Sequence, residues 1–263
     1  MTIREEMLAA AARARPGLPD AAAVAGFVRG RRRRDGGFAG RSDESDLYYT
    51  HFAVECLAAL GEDIDPAALA GYLDRFGDGD GLDLVHLACL IRCRVALPGG
   101  CIGRPRDRLL RRLALLASAD GAFHHAGAGR PTGSAYGCFL ALGAFQDLAA
   151  GPPSPEAMAA CLAALALPDG AHANEAGLPL GATSSTAAAV TALRHLGHSP
   201  EAAATDWLLD RAVAGGGFEP FADTGSADLL STATAVHALA GLGAELSFVA
   251  GPCREFALGL WDD

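Results

Sequence analysis

The chain has 263 residues, 51% of them hydrophobic, with 33 glycines and a formal net charge of -10. A chain of this size and apolarity can bury one large core or two modest ones, as a soluble globular protein does. The negative balance repels nucleic acid and anionic membrane surfaces, so neither is expected as a general partner.

The first twenty residues, "MTIREEMLAAAARARPGLPD", read as a helix that carries acids early and lacks a long apolar run. No signal peptide or membrane span is therefore expected, and the expected compartment is the cytoplasm. Seven cysteines form no CxxC pair and lie mostly in apolar helical stretches, where a free thiol behaves as a small hydrophobe and a reducing setting suits it. Two helices are predicted first, over 3–14 and 20–33. The second ends in Arg29 and Arg31 to Arg34, cations that suit a solvated helix C-terminus.

From Asp35 the chain writes a phrase, "DGGFAGRSDESDLYYTHFAVECLAALG", that it repeats in looser form. The copies begin at Asp120 ("DGAFHHAGAGR"), Asp169 ("DGAHANEAG") and Gly215 ("GGGFEPFAD"), and "DGDGLDLVHLACLIRCRVAL" is a degenerate version without the aromatic. Repeats of about 45 residues indicate one supersecondary unit stacked on itself. Thr50, Thr186 and Thr232 each lie eleven residues before a glycine (Gly61, Gly197, Gly243), which fixes a common register. Each phrase runs from a glycine corner into an apolar helix. Between the copies, second helices are predicted near 66–76, 105–117, 155–166, 200–213 and 244–259, with Pro66, Pro105, Pro155 and Pro200 at or near their starts. With the leading pair, the count is twelve helices in six hairpins. No stretch alternates with period two, so no sheet is expected.

Helices after the corners, such as "STAAAVTALRHLG", are apolar over most of their circumference, whereas intervening ones, such as "PRDRLLRRLALLAS", are amphipathic. Helices packed on several sides and helices packed on one side predict an inner and an outer ring in a single all-α domain over 1–263.

The "GGF-x-GR…D-x-x-x-T" phrase resembles the repeat of the prenyltransferase and squalene-oxidase group, found in protein prenyltransferase β subunits and terpenoid cyclases. The resemblance spans about residues 20 to 260. It implies an α/α toroid of six helical hairpins, an apolar central cavity that takes an isoprenoid-like small molecule, and chemistry at the corners. It also implies a helical partner protein, of the kind on which β subunits pack.

Against that family, the chain departs at the reactive positions. The zinc ligands of protein prenyltransferases are missing: the late copies hold Ala182, Ser185, Asp228 and Ser231, and the first holds Tyr49 where a histidine is implied. No metal site and no cofactor is therefore assigned. In "DLVHLACLIRC", Asp83 and His86 keep a D-x-x-H form, with Cys89 and Cys93 following on the same side. Seven residues of helix, about 10.5 Å of rise, keep His86 and Cys93 from sharing one ion. The acid motif of class II cyclases is also incomplete, since Asp46 and Asp228 match only its first acid while Tyr48 and Leu230 fall on its middle one. Both aspartates also suit helix N-caps. Asp46, Tyr49, Asp83, His86 and Asp228 are the candidate catalytic residues. Arg41, Arg130, His124 and His125 are the candidate donors to a diphosphate, although an acid such as Glu44, or Gly133, replaces the implied lysine. Tyr48, Tyr49 and Tyr136 offer ring faces to a carbocation. Two function classes follow: an isoprenoid-processing enzyme that works without the usual zinc, or a catalytically silent toroid that binds an isoprenoid or a protein.

Overall fold

The computed structural model describes residues 1–260, and among them the chain is helical with one two-residue ladder. The twelve helices are α1 (Ile3–Ala14), α2 (Ala21–Gly30), α3 (Leu47–Leu60), α4 (Pro66–Asp74), α5 (Leu84–Ala96), α6 (Gly103–Ala114), α7 (Ala135–Asp147), α8 (Pro155–Ala164), α9 (Thr183–His195), α10 (Ala202–Leu209), α11 (Leu229–Gly241) and α12 (Ser247–Gly259). Aspartates start many of them: Asp20, Asp46, Asp65, Asp83 and Asp228 each accept a backbone N–H of the first turn of α2, α3, α4, α5 and α11. Caps of this kind contribute about 1 kcal/mol each.

The chain forms two compact units. The first comprises Met1–Leu116 and Leu140–Pro152, the second Ala117–Phe139 and the chain from Pro153. In the first unit α3 and α5 lie side by side, α1 and α2 pack on α3, and α4 and α6 pack on α5. In the second, α9 and α11 lie side by side, with α8 on α9 and α10 against both. The helices that lie side by side are more buried than α6, which packs on one of them. Nine of the thirteen residues of α9 and eight of the thirteen of α5 are buried, against two of twelve in α6, where only Leu109 and Leu113 face inward. The core of the second unit gathers Val190, Trp207, Leu208, Phe218 and Leu239, and a cluster in the first gathers Ala25, Phe38, Ala53 and Leu57.

The repeated corner has one construction. Its aromatic position is buried: Phe38, Phe123, His172 and Phe218 are all under 5% exposed. The backbone N–H of Phe38, His172 and Phe218 donates to the hydroxyl of Thr50, Thr186 and Thr232, each at 2.9 Å. The third corner has Cys138 at that place, whose thiol donates to the Phe123 carbonyl at 3.6 Å. The corner aspartates Asp35, Asp120 and Asp169 accept the N–H two residues on, from Gly37, Ala122 and Ala171. The glycine that follows the first residue of the corner sits at positive φ, as at Gly36 (+92°), Gly170 (+95°) and Gly216 (+94°). A Cβ there would lie 2.1, 2.5 or 2.2 Å from the carbonyl oxygen of Ala68 in α4, Ala203 in α10 or Pro252 in α12, the second helix after each corner. Only glycine meets both conditions.

Two expectations need correction. The expected absence of a sheet gives way to a small ladder, β1 (Phe38–Ala39) with antiparallel β2 (Ser45–Asp46). The helices expected to run to 33, 117, 166 and 213 end two to four residues earlier, because Arg32, Ala117, Ala166 and Ala212 leave the helix to bridge Phe38, Phe123, His172 and Phe218 across the turn. No helix among the described residues is long and apolar enough to cross a membrane.

Candidate functional site

The helix starts that follow the corners carry most of the polar side chains singled out from the sequence, and each unit holds its own group. In the first unit, Asp46 begins α3 and accepts the Tyr49 N–H at 3.0 Å. Asp83 begins α5, accepts the His86 N–H at 2.9 Å, and lies 2.8 Å from His86 Nδ1. Burial pushes the Asp83 carboxyl up, but its hydrogen bonds from His86 outweigh burial and hold it below the usual carboxylate range. Asp46 and Asp83 both act on Cys89, whose thiol is pushed up to about 12, mainly by burial. A thiol held neutral in this way is a poor metal ligand, and Cys93 is raised further by burial.

Beside Asp46, three rings form one aromatic run on α3. Tyr48 meets Tyr49 edge-on at 5.7 Å and Phe52 edge-on at 4.7 Å. Tyr49 and Phe52 are partly open to solvent, 38% and 50% exposed. The Tyr49 ring also covers Gly40, where a Cβ would come within 2.2 Å of it, so this tyrosine closes the first corner as well as facing outward. Arg41 is exposed in the same corner loop.

In the second unit, Asp228 begins α11 and accepts both the N–H (2.7 Å) and the hydroxyl (2.8 Å) of Ser231. Arg130 is exposed, while His124 is buried and His125 half-buried. The two imidazoles stack with centroids 4.6 Å apart, and Tyr136 stands 6.0 Å from the His125 ring. The structure thus brings His124, His125 and Tyr136 together.

Sequence reasoning missed what faces them. The Glu175 carboxylate lies 3.5 Å from His124 Nε2 and 3.6 Å from His125 Nε2. It arrives there through the next corner: Ser134 bridges Glu175, and the Ala135 and Tyr136 N–H groups donate to the backbone and side-chain oxygens of Asn174 at 2.9 and 3.1 Å. The same tie recurs one copy later, where the Thr183 N–H donates to the Pro220 carbonyl (2.9 Å) and its hydroxyl to the Glu219 carbonyl (2.6 Å). The available signal was that stacked repeats bring successive corners together, so an acid shortly after His172 in one corner belongs beside the two histidines after Phe123 in the corner before it. Burial pushes Glu219 up, yet the N–H groups of Gly225 and Asp223 and the Thr224 hydroxyl hold it below its usual range. That carboxylate organises the fifth corner.

Two concavities in the first unit, of about 230 and 210 Å³, are lined by other residues, among them Arg4, Glu62 and Ile64 in one and Asp78, Arg108 and Arg112 in the other.

No protein-family model and no curated protein matches the sequence. Solved structures do match. The apo type II terpene cyclase MstE from Scytonema superimposes with a TM-score of 0.62 at 19% identity, over 90% of this chain and 86% of that one. A substituted form of MstE, in complex with its product merosterolic acid A, superimposes with a TM-score of 0.56 at 18% identity, over 89% and 85%. The fold is of the α/α-toroid type. The corners and the helix starts beside them are the residues that the repeat marks in the sequence.

Proposed function

We propose that this toroid processes an isoprenoid-like substrate at the corner ends of its helices, as a terpenoid cyclase or a prenyl transferase that works without the usual zinc site. The observation that carries the reading is the likeness, over 90% of the chain, to a type II terpene cyclase, one form of which holds a terpenoid product. Tyr48, Tyr49 and Phe52 present ring faces of the kind that stabilise a developing carbocation. Asp46, Asp83 and Asp228 supply negative charge near such a cation, with His86 paired to Asp83. Arg41 and Arg130, with His124, His125 and Tyr136, provide donors for a diphosphate. Seven free cysteines suit a reducing cytoplasmic setting.

A specific observation favours the second reading, retention of an isoprenoid without turnover. Protonating an alkene takes an acid held neutral in a dry site, whereas Asp83 is held on the anionic side by the hydrogen bonds of its helix start. The test is incubation with farnesyl diphosphate, geranylgeranyl diphosphate and a linear polyene, followed by mass spectrometry of the extract. Turnover that falls at least tenfold in Asp83→Asn, a change that keeps the cap, supports the enzyme reading. Retention of unchanged substrate supports the binding one. Neither turnover nor retention overturns both.

A further inference from the structure

The juxtaposition of His124, His125 and Glu175 has a geometry that hydrogen bonding alone does not account for. Its two nitrogen–oxygen separations, 3.5 and 3.6 Å, are longer than N–H···O bonds, which cluster at 2.7–3.2 Å. They run to different oxygens of Glu175, Oε2 facing His124 and Oε1 facing His125, and each is close to the distance of about 3.4 Å between two ligands that share one ion at about 2.0–2.1 Å. One donor atom from each of the three residues lies within 4.8 Å of the others, and no other group of three or more among the described residues does so.

The three side chains are held in place before any ion arrives. Ser134 is fully buried at the start of α7; its Oγ accepts the Gly137 N–H at 3.1 Å and lies 2.9 Å from His125 Nδ1. A partner on the ring nitrogen that does not bind metal is what orients a ligating histidine. Glu175 is carried by the backbone bridge to Ser134, and His124 is 5% exposed, so one side of the cluster is closed. The side chains of His125 and Glu175, 28% and 40% exposed, leave the other side open to solvent.

We propose that His124, His125 and Glu175 form a three-ligand site for a zinc-class divalent ion, with the remaining coordination position open to water. Two imidazoles and one carboxylate are the donor set of zinc sites that keep an open position, while magnesium and calcium require oxygen. Binding has one local consequence. The Ala126 N–H donates to His124 Nδ1 at 3.1 Å, which places the ring proton on Nε2 in the metal-free protein. An ion on Nε2 moves that proton to Nδ1 and breaks the Ala126 contact, in an exposed turn where Gly127 at φ +98° gives the backbone freedom.

The inference does not depend on the isoprenoid reading, because its test uses metal alone. The full chain, stripped with a chelator, is titrated with Zn²⁺ by calorimetry, with Co²⁺ by visible absorption, and with Mg²⁺. The expected result is one equivalent of Zn²⁺ bound at micromolar or tighter affinity, a tetrahedral Co²⁺ spectrum, no Mg²⁺ binding, and a shift of the Ala126 amide resonance on loading. His125→Ala and Glu175→Gln, both at half-exposed positions, should each weaken Zn²⁺ binding at least tenfold. His198→Ala, which removes an exposed histidine 3.5 Å from Glu156, should leave it unchanged. Lack of saturable one-to-one binding, or retention of wild-type affinity in both His125→Ala and Glu175→Gln, overturns the proposal.

Discussion

Replacing Thr186 by valine tests the construction of the corner directly. Valine keeps the shape and removes the hydroxyl that accepts the His172 N–H at 2.9 Å. Thr186 is 0% and His172 4% exposed, so no water takes the vacated place. A buried donor left without a partner costs about 1–3 kcal/mol. Thr186→Ser separates this effect from packing, since it keeps the acceptor and removes one methyl group, worth about 1 kcal/mol. For a chain of this size 1 kcal/mol moves the melting temperature by about 2–4 °C, so the valine variant should melt about 3–10 °C below wild type and below the serine variant. Urea denaturation followed by circular dichroism gives the ranking independently of the thermal route. A valine variant as stable as the serine variant would refute the reasoning, because the threonine register would then mark packing alone.

Other consequences concern charge and backbone. The His51 pKa is lowered to about 3 by burial and then by Arg92 and Arg4, so the folded chain holds this ring neutral while the unfolded chain protonates it near 6.5. Stability from this group is complete above about pH 6.5 and declines by about 1.4 kcal/mol per pH unit below it, down to about pH 3; urea midpoints at pH 7 and pH 5 should show the loss, and His51→Phe should flatten it. Asp147 pairs with Arg92 at 3.2 Å with side chains 2% and 9% exposed, so Asp147→Ala should cost about 3–5 kcal/mol while the double change Arg92→Met with Asp147→Leu restores most of it, as measured by denaturation. Gly170→Ala combines φ +95° with a Cβ 2.5 Å from the Ala203 carbonyl oxygen and should lower stability by about 2 kcal/mol or more.

The toroid was legible because its signals are local and repeated. Glycine corners, aspartate caps and the threonine ruler each bond within their own copy, so Thr50 and Phe38 announce their contact twelve residues apart. Helix ends were less legible. Ala166 and Ala212 have every propensity to continue a helix, and leave it only because the corner aromatic six residues on offers a backbone bridge. The site was legible in part. His124 and His125 drew attention as a pair, yet their partner Glu175 lies in another copy, and Arg92 with Asp147 pairs across 55 positions, a separation that no periodicity encodes. Asp83 stood out as a candidate acid on its spacing to His86, and the same spacing makes it a helix cap.

The dependence of one copy's helix start on the backbone of its successor also limits how such a chain can change length. Deleting everything after α10 would deprive Thr183, fully buried, of the Glu219 and Pro220 oxygens that receive its hydroxyl and amide. Duplicating a copy in the interior would leave each of these donors with an acceptor in the inserted corner. Growth by interior duplication is thus the easier course for this architecture, and erosion from its C-terminal side the harder one.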